Sequence, residues 1–223
     1  MTSPRNEAQG DKPKAGGRIL LFDFDGTVAD TLRISHLILN DLAKEFRFRE
    51  LPEEELQIAR NMSTRNFIRH LGISKWRVPV IARRGLKLLH ERIHEVSPIP
   101  GIPEVLSTLG ERGHRIGILT SNSEANVSAF LERHDLRHFE FIRTSSKLFG
   151  KGREMKRLLQ AEKVSPQDVL YIGDETRDIE AAQETGLRIA AVTWGYNSAD
   201  ALSSLNPDFL LSSPRELLEL VGL

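Results

Sequence analysis

Residues 17–30 read GRILLFDFDGTVAD. Four apolar residues in a row, 19–22, are apolar on both parities, as in a strand covered on both faces. The run then stops in two carboxylates one residue apart, Asp23 and Asp25, and breaks at Gly26. Each of two neighbouring carboxylates raises the cost of ionising the other. A buried strand that ends this way calls for a cation nearby. A capping turn is the plain alternative, because Asp is common where a strand gives way to a helix.

Working outward, further short apolar runs at 115–119, 139–143, 169–172, 188–192 and 208–211 read as strands, with the first at 18–22. Helical stretches at 103–111, 124–134, 152–162, 176–185 and 214–221 lie between or after them, with Gly113, Gly186 and Gly222 where helix stops belong. Strands alternating with helices predict an α/β fold, a Rossmann-like doubly wound parallel sheet. The interval between the first two strands is far too long for a simple crossover. From 32 to 98 it is charged, with apolar residues at three-to-four spacing, for example VPVIARRGLKLLHERIHEV. The expected organisation is a flexible tail over 1–17, an α/β core over 18–31 plus 99–223, and a small helical cap over 32–98. SPIPGIP, 97–103, is its return hinge.

In an open α/β sheet, ligands bind beyond the carboxyl ends of the strands. The first strand ends in DFDGT, the second in TSNS (Thr120 to Ser123), and the fourth in GDETRD, with Asp174 and Asp178; Lys151 opens the helix before the fourth strand. Three carboxylates and water make a hard oxygen site suited to Mg²⁺, and a divalent cation removes the repulsion between Asp23 and Asp25. Thr120, Lys151 and loop N–H groups can hold a phosphoryl group. A carboxylate is a competent nucleophile toward phosphorus, and Gly26 permits a tight turn close to that phosphate.

The ordered set DFDGTVAD, ILTSNS, a lysine and YIGDETRDIEAA resembles the haloacid dehalogenase-like (HAD) hydrolase superfamily, in particular its phosphoglycolate-phosphatase-like branch with a C1 helical cap. AVTWGY, after the fifth strand, resembles that branch too. The resemblance implies that Asp23 is the nucleophile and Asp25 the general acid and then base. Asp23, Asp174 and the Asp25 backbone carbonyl would bind Mg²⁺, with Asp178 and Glu175 in support. The phosphate would be held by Gly26, Thr27, Thr120, Ser121, Asn122 and Lys151, with Lys147 a second candidate for the lysine. The activity implied is an Mg²⁺-dependent phosphomonoesterase that forms an aspartyl-phosphate from a small phosphorylated metabolite. A phosphomutase, a phosphonatase with a cap lysine (Lys44, Lys75 or Lys87), or a non-catalytic phosphate-binding module are the alternatives.

Composition narrows the field. Lys plus Arg and Asp plus Glu both number 31 in 223 residues, and there is no cysteine. No basic field draws the chain to nucleic acid or anionic lipid, thiolate metal sites are excluded, and no apolar run reaches the length of a membrane span. A cytoplasmic protein acting on a small metabolite is expected. HERIH, 90–94, matches a zinc-protease pattern on paper, but it lacks a third ligand and reads as a solvated helix face. An EF-hand loop counted from Asp23 would need Glu where Ile34 stands. Arg60, Arg65, Arg69 and Lys75 read as solvated, with one or two able to meet a second anionic group of the substrate.

Overall fold

The computed structural model describes residues 18–145 and 150–221. The expected tail, Lys147 and the helix stop at Gly222 fall outside them. In chain order the elements are β1 (Ile19–Phe22), α1 (Leu32–Phe46), α2 (Leu56–Arg60), α3 (Thr64–His70), α4 (Val78–Arg92), α5 (Ile102–Glu111) and β2 (Arg115–Thr120). Then come α6 (Glu124–Arg133), β3 (Phe139–Thr144), α7 (Lys151–Glu162), β4 (Val169–Gly173), α8 (Thr176–Thr185), β5 (Arg188–Val192), α9 (Ala199–Ser203), β6 (Phe209–Leu211) and α10 (Glu216–Leu220). All six expected strands form; the short helix α9 was not expected.

The strands make one parallel sheet in the order β3-β2-β1-β4-β5-β6. β1 lies inside it, and its alternation divides two cores. Leu20 and Phe22 join a cluster with α5 and α6, whereas Ile19 and Leu21 join one with α7 and α8. β4 divides likewise, with Leu170 and Ile172 on one face and Val169 and Tyr171 on the other. The sheet is doubly wound, and the strand order reverses at β1, so the crevice of the fold opens at its carboxyl end.

The stretch between β1 and α5 is helical. α1 and α4 meet through Ile34, Ile38, Leu42, Ile81 and Leu89, all buried. The two chain segments that enter and leave this layer are stitched together: the Asp30 N–H donates to the Ser97 carbonyl and the Ile99 N–H to the Val28 carbonyl, both at 2.9 Å. Local chemistry starts the helices. Ser63 and Ser123 cap α3 and α6 by accepting from the N–H three residues on, and Glu175 and Asp178 form a reciprocal capping box on α8. Among the described residues no helix is long and apolar enough to cross a membrane.

Candidate active site

β1 delivers Asp23 to the sheet edge, and the Asp23 N–H continues the ladder to the Ile172 carbonyl at 2.8 Å. Its carboxylate is held at both oxygens: Oδ1 accepts from the Phe24 N–H at 2.7 Å, and Oδ2 lies 2.6 Å from Lys151 Nζ. Lys151, the first residue of α7 and just 2 % exposed, also donates to Asp178 Oδ1 at 2.6 Å. Burial pushes the Asp23 carboxyl up to about 7, although the Lys151 charge pulls against it. Burial pulls the Lys151 ammonium down, but Asp178 and Asp23 together outweigh it and the net shift is upward. Asp178 Oδ2 accepts from the Glu175 N–H at 3.1 Å, so this residue joins the lysine to the start of α8.

Asp174, after β4, is fully buried. Its Oδ1 accepts from the Thr27 hydroxyl at 2.7 Å and its Oδ2 from the Tyr196 N–H at 2.6 Å. Gly26, in the left-handed region at φ +74°, lies so close that an added Cβ would stand 2.9 Å from Asp174 Cγ; Gly195 crowds the same carboxylate from the other side. Neither position has room for a side chain. Burial, then the charges of Asp23, Glu175 and Asp178, hold the Asp174 carboxyl well above the usual range. Among the described residues no ammonium or guanidinium pairs with it. Asp23, Asp174 and Asp178 each offer an oxygen within 4.8 Å of the others. Three hard oxygen donors, two of them sharing Lys151 and the third on Asp174, which no described cationic side chain pairs with, fit a small divalent cation.

Asp25 is turned elsewhere. Its two oxygens accept from Asn122 Nδ2 at 3.1 and 3.0 Å, and burial raises its carboxyl although Asn122 and Thr31 offset part of the effect. Asn122 Oδ1 in turn accepts from Asn126 Nδ2 at 2.8 Å, and Asn126 Oδ1 lies 2.8 Å from His90 Nδ1. This relay is what HERIH does here: exposed His90 reaches toward Asn126, and neither His90 nor His94 belongs to an acidic or histidine cluster among the described residues. Thr120 is buried at the end of β2 and accepts from the Asn122 N–H at 3.0 Å.

The structure therefore brings together the three expected strand ends and Lys151. It also redistributes duties. Thr27, expected on the phosphate, donates its hydroxyl to Asp174 and its N–H to the Phe24 carbonyl at 3.3 Å. Asn122, expected there too, orients Asp25. Glu175 chelates the Arg177 guanidinium, with one contact at 2.9 Å, and Arg177 also donates to Ser121 Oγ at 3.3 Å. Burial works against the Arg177 charge, but Glu175 more than restores it. Arg177 and Tyr196 were not singled out from sequence, although both stand in the stretches GDETRD and AVTWGY. Arg60, expected to be solvated, instead donates to the carbonyls of Gly195 at 3.0 Å and Thr193 at 3.3 Å. Asn197 closes that junction by donating to the carbonyls of Arg60 and Met62. Lys44, Lys75 and Lys87 are all exposed.

Comparison with known proteins places the chain in a family. The family model described as haloacid dehalogenase-like hydrolase matches residues 20–192. The chain belongs to the haloacid dehalogenase-like hydrolase family. It is 36% identical to a phosphoglycolate phosphatase of Synechococcus elongatus, over 91% of this chain and 96% of that one. A phosphoglycolate phosphatase of Aquifex aeolicus is 26% identical over 92% and 96% of the two chains. A haloacid dehalogenase-like family hydrolase from Streptococcus pneumoniae superimposes with a TM-score of 0.77 at 21% identity, covering 92% of this chain and 98% of that one, a likeness of fold. Family and relatives together make this member an enzyme, a phosphatase.

Proposed function

We propose that the chain is an Mg²⁺-dependent phosphomonoesterase that hydrolyses a small phosphorylated metabolite, phosphoglycolate-like or similar, through an aspartyl-phosphate on Asp23. One observation supports the reading: a carboxylate fixed at both oxygens by Lys151 and the Phe24 N–H stands beside a second buried carboxylate, Asp174, that has no cationic partner among the described residues. Asp23, Asp174 and the Asp25 backbone carbonyl would hold Mg²⁺, with Asp178 behind them, and the ion would offset charge on the phosphoryl oxygens.

In the first half-reaction an Asp23 oxygen bonds to phosphorus while the bond from phosphorus to the leaving oxygen breaks. Asp25, whose carboxyl burial raises, gives its proton to that oxygen. In the second, Asp25 takes a proton from water as the water oxygen attacks phosphorus, and inorganic phosphate leaves Asp23. Lys151 and the Thr120 hydroxyl bind the phosphoryl oxygens throughout. The helices of 32–98 act as a cap that excludes water and meets the leaving group, over a core of 18–31 and 99–223. A cytoplasmic setting belongs to the same reading.

Asp23→Asn should lower phosphate release from any accepted ester by more than about 10³-fold while the circular dichroism spectrum stays that of the wild type. EDTA should silence the wild type and Mg²⁺ should restore it. Appreciable turnover by Asp23→Asn, or full activity in EDTA, would refute the mechanism.

A further inference from the structure

Two buried asparagines stand behind Asp25. Asn122 is 2 % exposed, and Asn126, in the first turn of α6, is fully buried. Asparagine is a poor helix former, and its amide is costly to bury unless its polar atoms are met. Here they all are, and the partners leave each amide a single orientation. Asn122 Oδ1 accepts from the Ser123 N–H at 2.7 Å and from Asn126 Nδ2 at 2.8 Å. Its Nδ2 must therefore face Asp25, where it lies 3.1 and 3.0 Å from the two carboxyl oxygens. Turned over, the amide would set its oxygen against those oxygens and its N–H groups against two donors.

Asn126 prevents that turn. Its Nδ2 donates to Asn122 Oδ1 and to the Leu86 carbonyl, the latter at 3.1 Å. Its Oδ1 is left to accept from His90 Nδ1 at 2.8 Å, which assigns the ring proton to that nitrogen. Leu86 and His90 both belong to α4. The Asn126 amide is thus held at two points by the helical layer, and through Asn122 it holds Asp25 in the core. A hydrogen-bonded chain satisfied at every member fixes one geometry.

We propose that Asn126 is a positioning residue for ester cleavage: through Asn122 it fixes the direction in which Asp25 presents its proton, and it takes its own orientation from α4. The assignment rests on the phosphomonoesterase reading above, with Asp25 as the acid. An alcohol leaves phosphorus readily only with a proton, whereas the acetate of acetyl phosphate leaves without one. Misdirecting Asp25 therefore penalises alkyl phosphates and spares acetyl phosphate, while a loss of packing lowers both alike.

The test compares kcat/KM, which reports the first half-reaction, for 2-phosphoglycolate or another accepted alkyl phosphate and for acetyl phosphate, both with Mg²⁺. Where acetyl phosphate is not accepted, p-nitrophenyl phosphate takes its place, since its leaving group needs no proton either. Asn126→Asp keeps the shape and the acceptor for His90 but sets an oxygen against Asn122 Oδ1. It should lower the ratio of alkyl to acetyl phosphate by about tenfold or more; an unchanged ratio overturns the assignment. In an Asn122→Ala background the same substitution should leave the ratio where Asn122→Ala alone puts it, and a further fall of similar size overturns the route through Asn122. His90→Ala, at an exposed position, should lower the ratio about threefold, and no change overturns the role of α4. Should Asn126→Asp fail to fold, His90→Ala decides alone. A wild type that cleaves no alkyl phosphate refutes the phosphomonoesterase reading and the assignment with it. A wild type that cleaves one, with the ratio unmoved in every variant, overturns the assignment and leaves that reading standing.

Discussion

The acidic sheet edge and the helical layer that faces it are built on opposite rules. At the edge every charged group is fixed by at least two partners, and Lys151 alone ties Asp23 to Asp178. Glycines crowd Asp174 so closely that no methyl group fits. The helical layer is looser. It keeps a cavity of about 300 Å³, holds itself together at the surface with pairs such as Arg84 with Glu45 and Arg49 with Glu55, and leaves Leu37, Ile58, Trp76 and Val80 exposed. The difference suits the proposed division of labour: moving a phosphoryl group would need atoms held in place, whereas receiving a leaving group would need volume.

Five substitutions test that contrast. Lys151→Met leaves Asp23 and Asp178 buried without their cation, and should cost about 3–5 kcal/mol in urea unfolding besides abolishing turnover. A loss under about 1 kcal/mol would show that the lysine is not what holds the edge. Phe22→Ala, in the fully buried sheet core, should cost about 3–5 kcal/mol, while Phe67→Ala, beside space that is already empty, should cost roughly 1–2 kcal/mol; equal losses would erase the distinction between the regions. Gly26→Ala combines a left-handed backbone with a clash against Asp174, and should cost about 1–3 kcal/mol and raise the Mg²⁺ concentration for half-maximal activity. The smallest effect belongs to half-buried Glu55, whose carboxyl Arg49, then His70, hold below its ordinary value of 4.5. Because its folded pKa is depressed, its stabilisation is present above pH 4.5 and is lost as pH falls through the lowered value. The Tm gap between wild type and Glu55→Gln should therefore be small at neutral pH and vanish in acid or in high salt.

The sheet and its acidic edge were legible because their signals are local. ILLF and VLYI are short apolar runs that each end in carboxylates, and a parallel sheet gathers such ends on one side. The helical character of 32–98 was legible for the same reason, from its three-to-four spacing. What was not legible came from residues that meet only in three dimensions. Thr27 looks like a phosphate ligand beside Gly26 until Asp174 is seen 2.7 Å from its hydroxyl. Arg60 looks like a surface charge until the loop after β5 presents the Thr193 and Gly195 carbonyls to it. The cavity left no local mark, since Leu39, Phe67 and Ile81 satisfy the helical pattern equally well around a filled core or an empty one.

The position of β1 inside the sheet bears on how the chain reaches its native state. Ile19–Phe22 pairs with Arg115–Ile118 on one side and with Val169–Ile172 on the other, so the first of the six described strands finds its second neighbour only after the chain has been made through β4. Such long-range pairing slows folding, and until it is complete β1 carries an open edge beside an unneutralised Asp23. Lys151 and Asp174 come from that same late half. The acidic edge therefore cannot be complete before the chain has been made through β4.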